Sequence, residues 1–203
     1  MKLHGLYAIT PECLAADELL ARVRAVLEGG IGALQYRRKA LATLEEAKAL
    51  ALLCRSRGVP FIVNDDVELA LAAGADGVHL GKGDGALEAA RKRMKGKVLG
   101  VSCYASVDNA RDAVAAGADY AAFGSVFSSP TKPGAVRAPL SLFAEARALG
   151  LPLVAIGGIT LENAPQLLAA GADALAVISD VFDAPDPAAR ARAYGRLFLH
   201  ENA

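Results

Sequence analysis

Three nine-residue stretches share one pattern and limit what this chain can become: "AAGADGVHL" (72–80), "AAGADYAAF" (115–123) and "AAGADALAV" (169–177). In each, an Ala-rich segment of helical character meets a Gly suited to the left-handed cap position, then an Asp, then a short apolar run. A degenerate fourth copy is "EGGIGALQY" (28–36). A helix that stops on Gly and passes at once into a buried strand is a helix-to-strand joint. Its recurrence indicates a repeated βα unit.

Apolar runs of four to seven residues read as buried strands, and longer stretches of 3.6 periodicity as helices. The strands fall near 5–9, 33–36, 61–63, 77–80, 99–101, 120–123, 153–156 and 174–178. Helical candidates lie at about 15–28, 43–57, 67–73, 86–94, 107–116, 140–149, 161–170 and 187–198. Strict alternation with short connections implies a parallel sheet, and eight units close a (β/α)8 TIM barrel. The expectation is an α/β chain with one compact barrel domain over residues 1–203. An open doubly wound sheet would carry a Gly-rich phosphate fingerprint after its first strand, and "LYAITPECL" has none.

Composition narrows the partners. Lys plus Arg and Asp plus Glu number 22 each, so no net field recruits nucleic acid or an anionic membrane, and an anion must be held by locally placed groups. Small molecules are the expected partners. The three cysteines are far apart and outside any CxxC spacing, which argues against a disulfide framework or structural zinc and fits a reducing cytoplasm. No run approaches the roughly 18 apolar residues of a membrane span, and the amino terminus lacks a long apolar leader. The chain reads as soluble and unprocessed.

In a TIM barrel the chemistry sits at the carboxyl ends of the strands. There the chain places "LQYRRK", "NDD", "HLGKGD", "SCY", "GSVFSSPTKPGA", "GGIT" and "ISD". Strand alternation puts Gln35, Arg37 and Lys39 on one side and Tyr36 and Arg38 on the other, so two cations and an amide converge as a diphosphate would require. Of Asn64, Asp65 and Asp66, one acid caps the next helix. Asp65 with Glu68 matches a capping box, and Asp66 can cap a helix starting one residue later. The remaining carboxylate, with Asp84 on the adjacent unit, suits a hard cation such as Mg2+. The long loop 124–140 carries Ser128, Ser129, Thr131 and Lys132 and reads as a lid or substrate clamp. Gly157 and Gly158 allow close backbone approach by a phosphate. His79, inside an apolar strand, reads as a satisfied core residue, or one that supports a site residue from behind, rather than as a base.

Together "GLYAIT", "LQYRRK", "NDDVELALAAGADGVHLG", "GVS", "GADYAAFGSVFSSPTK", "VAIGGIT" and "AVIS" span Gly5 to Ser179 and resemble the thiamine-phosphate synthase family. The resemblance implies a transferase that condenses 4-amino-2-methyl-5-(diphosphooxymethyl)pyrimidine with a thiazole phosphate, carboxylated or not, to give thiamine monophosphate and diphosphate with Mg2+ as cofactor. It implies that Gln35, Tyr36, Arg37, Arg38, Lys39, Asn64, Ser102 and Lys132 bind the pyrimidine diphosphate, with Arg37, Lys39 and Lys132 acting on developing charge. Asp65 and Asp84 would hold the metal. Ser129, Pro130, Thr131, Gly157, Gly158, Ile178 and Ser179 would hold the thiazole phosphate. The chain departs from the family pattern at Lys82 and Gly83, where Gln and Glu are usual, and at Ser128 and Ser129, where Pro and Thr are usual. A thiazole tautomerase-like isomerase and a binding-only barrel are the other readings, and a homo-oligomer is compatible with any of them. The isomerase relatives lack much of the diphosphate and metal set found here.

Overall fold

Residues 3–38, 41–81, 86–128 and 137–199 are described by the computed structural model on which the following rests. Eight parallel strands pair in chain order: β1 (Gly5–Ile9), β2 (Ala33–Tyr36), β3 (Phe61–Asn64), β4 (Gly77–Leu80), β5 (Val98–Tyr104), β6 (Tyr120–Gly124), β7 (Leu153–Ile156) and β8 (Ala174–Val177). The sheet closes where Gly5 to Ala8 of β1 register with Ala174 to Val177 of β8. Outside run α1 (Ala16–Gly29), α2 (Leu44–Ser56), α3 (Val67–Ala73), α4 (Leu87–Arg93), α5 (Val107–Ala115), α6 (Ser141–Ala146), α7 (Ala164–Ala169), α8 (Ser179–Phe182) and α9 (Pro187–Leu197). The expected TIM barrel is the observed fold.

Four local differences have physical causes. The helix expected to 149 ends as α-helix at Ala146 and tightens into a 3-10 turn over Arg147–Leu149, before Gly150. α7 starts late because Thr160 and Asn163 bond each other's backbone N–H, which closes a turn of their own. β5 runs on to Tyr104 through a register shift between Ser102 and Tyr104, a bulge that re-aims the strand end. α8 was not expected, since four residues are too few to show helical periodicity.

The repeated Gly-Ala-Asp joints clamp the amino-terminal ends of alternate strands. Asp76, Asp119 and Asp173 each donate a backbone N–H to the carbonyl of Phe61, Leu99 and Leu153. Each also accepts that same residue's N–H on its carboxylate, at 2.9, 2.7 and 2.7 Å. One residue thus satisfies both backbone groups at the starts of β3, β5 and β7. An arginine from the helix leading into each of those strands reaches the repeat's Gly carbonyl: Arg55 to Gly74, Arg91 to Gly117 and Arg147 to Gly171. Arg91 and Arg147 also pair with Asp119 and Asp173. In the degenerate copy Gly32 stands at the Asp position and keeps only the backbone bond, to Leu6 O at 2.8 Å. A Cβ there would lie 2.0 Å from His4 O, so no aspartate fits.

Two cores result. The larger fills the space between strands and helices, with Leu34, Tyr36, Phe61, Phe123, Phe143 and Phe182 among its bulky members. The smaller lies inside the barrel around Leu3, Tyr7, Ile9, Ile62, Tyr120 and Val154. Asp119→Ala leaves the buried Leu99 N–H without its acceptor, so urea denaturation is expected to lose about 1–3 kcal/mol. An unchanged midpoint would contradict the clamp.

Candidate active site

All eight strand ends contribute to one cavity of about 1000 Å3 at the carboxyl-terminal face of the barrel. Its lining runs from Ile9, Gln35 and Arg37 through Asn64, Asp65, His79, Ser102 and Tyr104 to Gly157, Gly158, Ile178 and Ser179. This is the face on which barrels build their sites.

Alternation along β2 decides which side chains enter. Gln35 and Arg37 line the cavity, whereas Tyr36 and Arg38 turn outward between β2 and α2. The Tyr36 phenol donates to Glu46 Oε2 at 2.5 Å, Arg38 Nε lies 3.3 Å from the same oxygen, and Arg38 also reaches Leu14 O. Tyr36 and Arg38 thus belong to a buried cluster around Glu46 that anchors β2 to α2, and neither lines the cavity. Arg37 is braced on both sides. The buried Thr10 hydroxyl accepts its N–H at 2.8 Å, and Glu12 pairs with its guanidinium at 2.6 Å. Lys39 lies outside the described residues.

At the end of β3 the three polar residues divide. Asp66 is the N-cap of α3, its carboxylate accepting from Leu69 N at 2.8 Å. Glu68, the other half of the expected capping box, instead pairs with Arg93 of α4. Asp65 has a positive φ of 65°, a left-handed conformation costly for most residues but tolerated by Asp and Asn. That turn brings Asp65 to the cavity wall beside Asn64, and its N–H bonds His79 O across to β4. Asp84, with Lys82 and Gly83, lies outside the described residues, as do Ser129, Pro130, Thr131 and Lys132 of the long loop.

The opposite wall is backbone-rich. Gly157 and Gly158 line it, yet their closest neighbours are the loop after β6: an added Cβ would meet Ser125 Oγ at 2.2 Å and Ser128 O at 2.2 Å. Phe127 N donates to Gly157 O at 3.0 Å, so the glycine pair is needed to seat that loop, whatever else approaches it. Ser179 opens α8 directly after Ile178. Asp180 ties the β7 and β8 loops to α9, accepting from Leu161 N at 3.3 Å, from Tyr194 Oη at 2.7 Å and from Arg190 at 3.2 Å.

Beneath the cavity the barrel interior holds a chain of polar groups. Gln35 Nε2 donates to Tyr7 Oη at 2.9 Å, Tyr7 Oη lies 2.8 Å from Tyr120 Oη, Tyr120 Oη 2.9 Å from His79 Nδ1, and His79 Nε2 2.8 Å from Ser102 Oγ. Burial pushes both phenols well above the ordinary tyrosine range and keeps them protonated. Tyr120 crosses the face of β5 where Gly100 leaves room, since a Cβ there would sit 2.2 Å from its hydroxyl. Tyr7, Thr10, Glu12, Tyr120 and Asp180 were not foreseen as site residues. Tyr7 and Tyr120 are part of apolar strand runs, and only barrel closure makes their polar tips meet. Their one sequence signal is a phenol in a fully buried run, which needs a partner when buried.

Four likenesses to known proteins extend over most of the chain. A family model described as thiamine monophosphate synthase matches residues 6–181. A thiamine-phosphate synthase of Aromatoleum aromaticum is 58% identical over 202 residues, 97% of each chain. One of an Azoarcus species is 57% identical over 202 residues, 97% of this chain and 98% of the relative. A solved thiamine phosphate pyrophosphorylase from Pyrococcus furiosus superposes with a TM-score of 0.86 at 35% identity, covering 98% of this chain and 97% of that one.

The Tyr36–Glu46 hydrogen bond has a pH signature. Burial first, and the Glu46 carboxylate second, push its phenol up to about 12. A folded-state value above the ordinary value of about 10 means stability present below pH 10 and lost as pH rises towards 12. Tyr36→Phe is expected to be less stable at neutral pH by about 1.5–3 kcal/mol, the usual worth of a hydrogen bond to a charged group. The deficit should shrink between pH 10 and 12, with substrate KM unchanged. A raised KM at unchanged stability would make Tyr36 a substrate contact and contradict a purely structural role.

Proposed function

Because the chain belongs to the thiamine monophosphate synthase family, and is thus an enzyme of that family, we propose that its cavity joins 4-amino-2-methyl-5-(diphosphooxymethyl)pyrimidine to 4-methyl-5-(2-phosphooxyethyl)thiazole or its carboxylated form. The observation that carries this reading is the polarity of the cavity. Gln35, Arg37, Asn64, Asp65 and Ser102 gather on the β2–β5 side, while glycine backbone and Ser179 face them from β7 and β8. One side suits a diphosphate and the other a monophosphate. A volume of about 1000 Å3 leaves room for two substrates.

The reaction breaks the bond between the pyrimidine methylene carbon and the diphosphate oxygen, and the electron pair leaves with diphosphate. The ring amino group delocalises the resulting positive charge. The thiazole nitrogen then supplies the pair for the new C–N bond. No protein nucleophile is required, so the chain's task is to hold the partners in line and stabilise charge on the departing oxygen. Arg37 does so from the described residues, with Glu12 keeping its guanidinium extended until the more strongly charged diphosphate arrives. Lys39 and Lys132 would add to it. Ser129, Thr131, Gly157, Gly158, Ile178 and Ser179 would hold the thiazole phosphate.

The donor set fits Mg2+. Asp65 presents a hard oxygen ligand at the cavity wall, and among the described residues no group of three or more His, Cys, Asp or Glu competes as a soft or all-protein site. Mg2+ typically takes one or two carboxylates and completes its shell with substrate phosphate oxygens and water. Asp65 and Asp84 would be those carboxylates. When bound, the ion neutralises the diphosphate and makes it a better leaving group.

The test is release of diphosphate from the pyrimidine substrate, with Mg2+, in the presence and absence of the thiazole phosphate. Release that requires both is expected; an isomerase or a binding-only barrel releases none. Asp65→Asn keeps the left-handed turn and the Asp66 cap, so its melting temperature should hold. Calorimetric titration of Mg2+ with diphosphate present should show affinity down by about 10-fold or more, since even the groups that orient metal ligands are each worth roughly 10- to 100-fold. Equal affinity would remove Asp65 from the metal site.

A further inference from the structure

The polar chain inside the barrel has a direction, and counting its protons fixes that direction. Each phenol owns one proton. Tyr7 Oη receives the Gln35 amide N–H, so its own proton goes to Tyr120 Oη. Tyr120 Oη is then occupied as an acceptor, and its proton goes to His79 Nδ1. With Nδ1 accepting, the neutral ring carries its proton on Nε2 and donates to Ser102 Oγ. Ser102, accepting from below, has its own hydroxyl proton left for the cavity it lines.

The geometry points to His79 as a positioning residue: through the Gln35–Tyr7–Tyr120–His79 chain it is held as the Nε2–H tautomer, which turns the Ser102 hydroxyl into a hydrogen-bond donor aimed at an anionic oxygen. Reversed, the chain would run from Ser102 O–H to His79 Nε2 and present lone pairs to the cavity. That arrangement would repel a phosphate. Tyr7 and Tyr120, the middle links, are each 1% exposed and line no part of the cavity, so water does not reach the centre of the chain. The rings are held as well: His79 stacks on Tyr120 at 5.6 Å and 21°, and Tyr7 meets Tyr120 edge-on at 5.9 Å and 86°. The chain spans β2, β1, β6, β4 and β5, so the Gln35 end and the Ser102 end of the cavity share one hydrogen-bond polarity.

The choice of a diphosphate as the anion rests on the proposed function, whereas the tautomer does not, and the test separates them. The chain contains three histidines. Nitrogen-15 NMR of the histidine-labelled full chain without ligand, with the His79 signals assigned by their loss in His79→Gln, is expected to show the proton on Nε2 alone. Any spectrum with the proton on Nδ1 overturns the proposal. Tyr120→Phe should abolish the single tautomer; an unchanged His79 spectrum in that variant also overturns it.

Inorganic diphosphate with Mg2+ then reads the effect on the site. His79→Leu should weaken its binding on the order of 10- to 100-fold, the worth of a hydrogen bond to a charged group. His79→Gln, whose amide nitrogen replaces Nε2–H, should recover most of that loss. Equal weakening in Leu and Gln variants of equal thermal stability contradicts a positioning role. If the tautomer and the rescue hold while the enzyme releases no diphosphate from the pyrimidine substrate, the assigned reaction fails and the relay stands.

Discussion

A parallel barrel needs its strand starts pinned, because every strand enters from a helix and leaves behind backbone groups that the neighbouring strands do not reach. Here that task falls to one carboxylate per pair of units. Asp76, Asp119 and Asp173 take the N–H groups of Phe61, Leu99 and Leu153 and return their own backbone N–H groups to the same residues. The fourth joint shows why the motif cannot be uniform. His4 O approaches Gly32 so closely that the aspartate is replaced by bare backbone. Fixing the bottom of the barrel in this way fixes the stagger, and the stagger decides which side chains stand level at the top.

What stands level at the top is a polar wall, and it continues downward. Small barrels usually fill their interior with branched aliphatic side chains. This one places Leu3, Ile62 and Val154 inside but adds two tyrosines, a histidine and a glutamine whose polar atoms satisfy one another. A fully paired polar network in a low-dielectric interior is rigid and directional. The cavity floor is thus a structured surface that can present Gln35 and Ser102 in a defined hydrogen-bonding sense.

The fold was legible in the sequence because strands buried on both faces are continuous apolar runs, and because Gly-Ala-Asp marks the joints between them. The short α8 carries too few residues to show a period, and the Thr160–Asn163 turn resembles helix locally, so sequence alone starts α7 too early. At the site, strand alternation alone placed Gln35 and Arg37 inward. The same alternation turns Tyr36 and Arg38 outward to Glu46. Asp65 and Asp66 could not be told apart by capping rules, because what separates them is a left-handed backbone at Asp65 that has no local sequence signature. The Tyr7–Tyr120 contact joins residues 113 apart in the chain and exists only once the barrel is closed.

We propose that one side of the cavity holds diphosphate and the other a monophosphate. A crystal structure of the protein soaked with thiamine monophosphate, diphosphate and Mg2+ tests it most directly. Diphosphate is expected against Arg37, Asn64 and Ser102, the ion against Asp65, and the phosphate of thiamine monophosphate beside Gly158 and Ser179. Diphosphate seated on the β7–β8 wall, or an ion remote from Asp65, would contradict it.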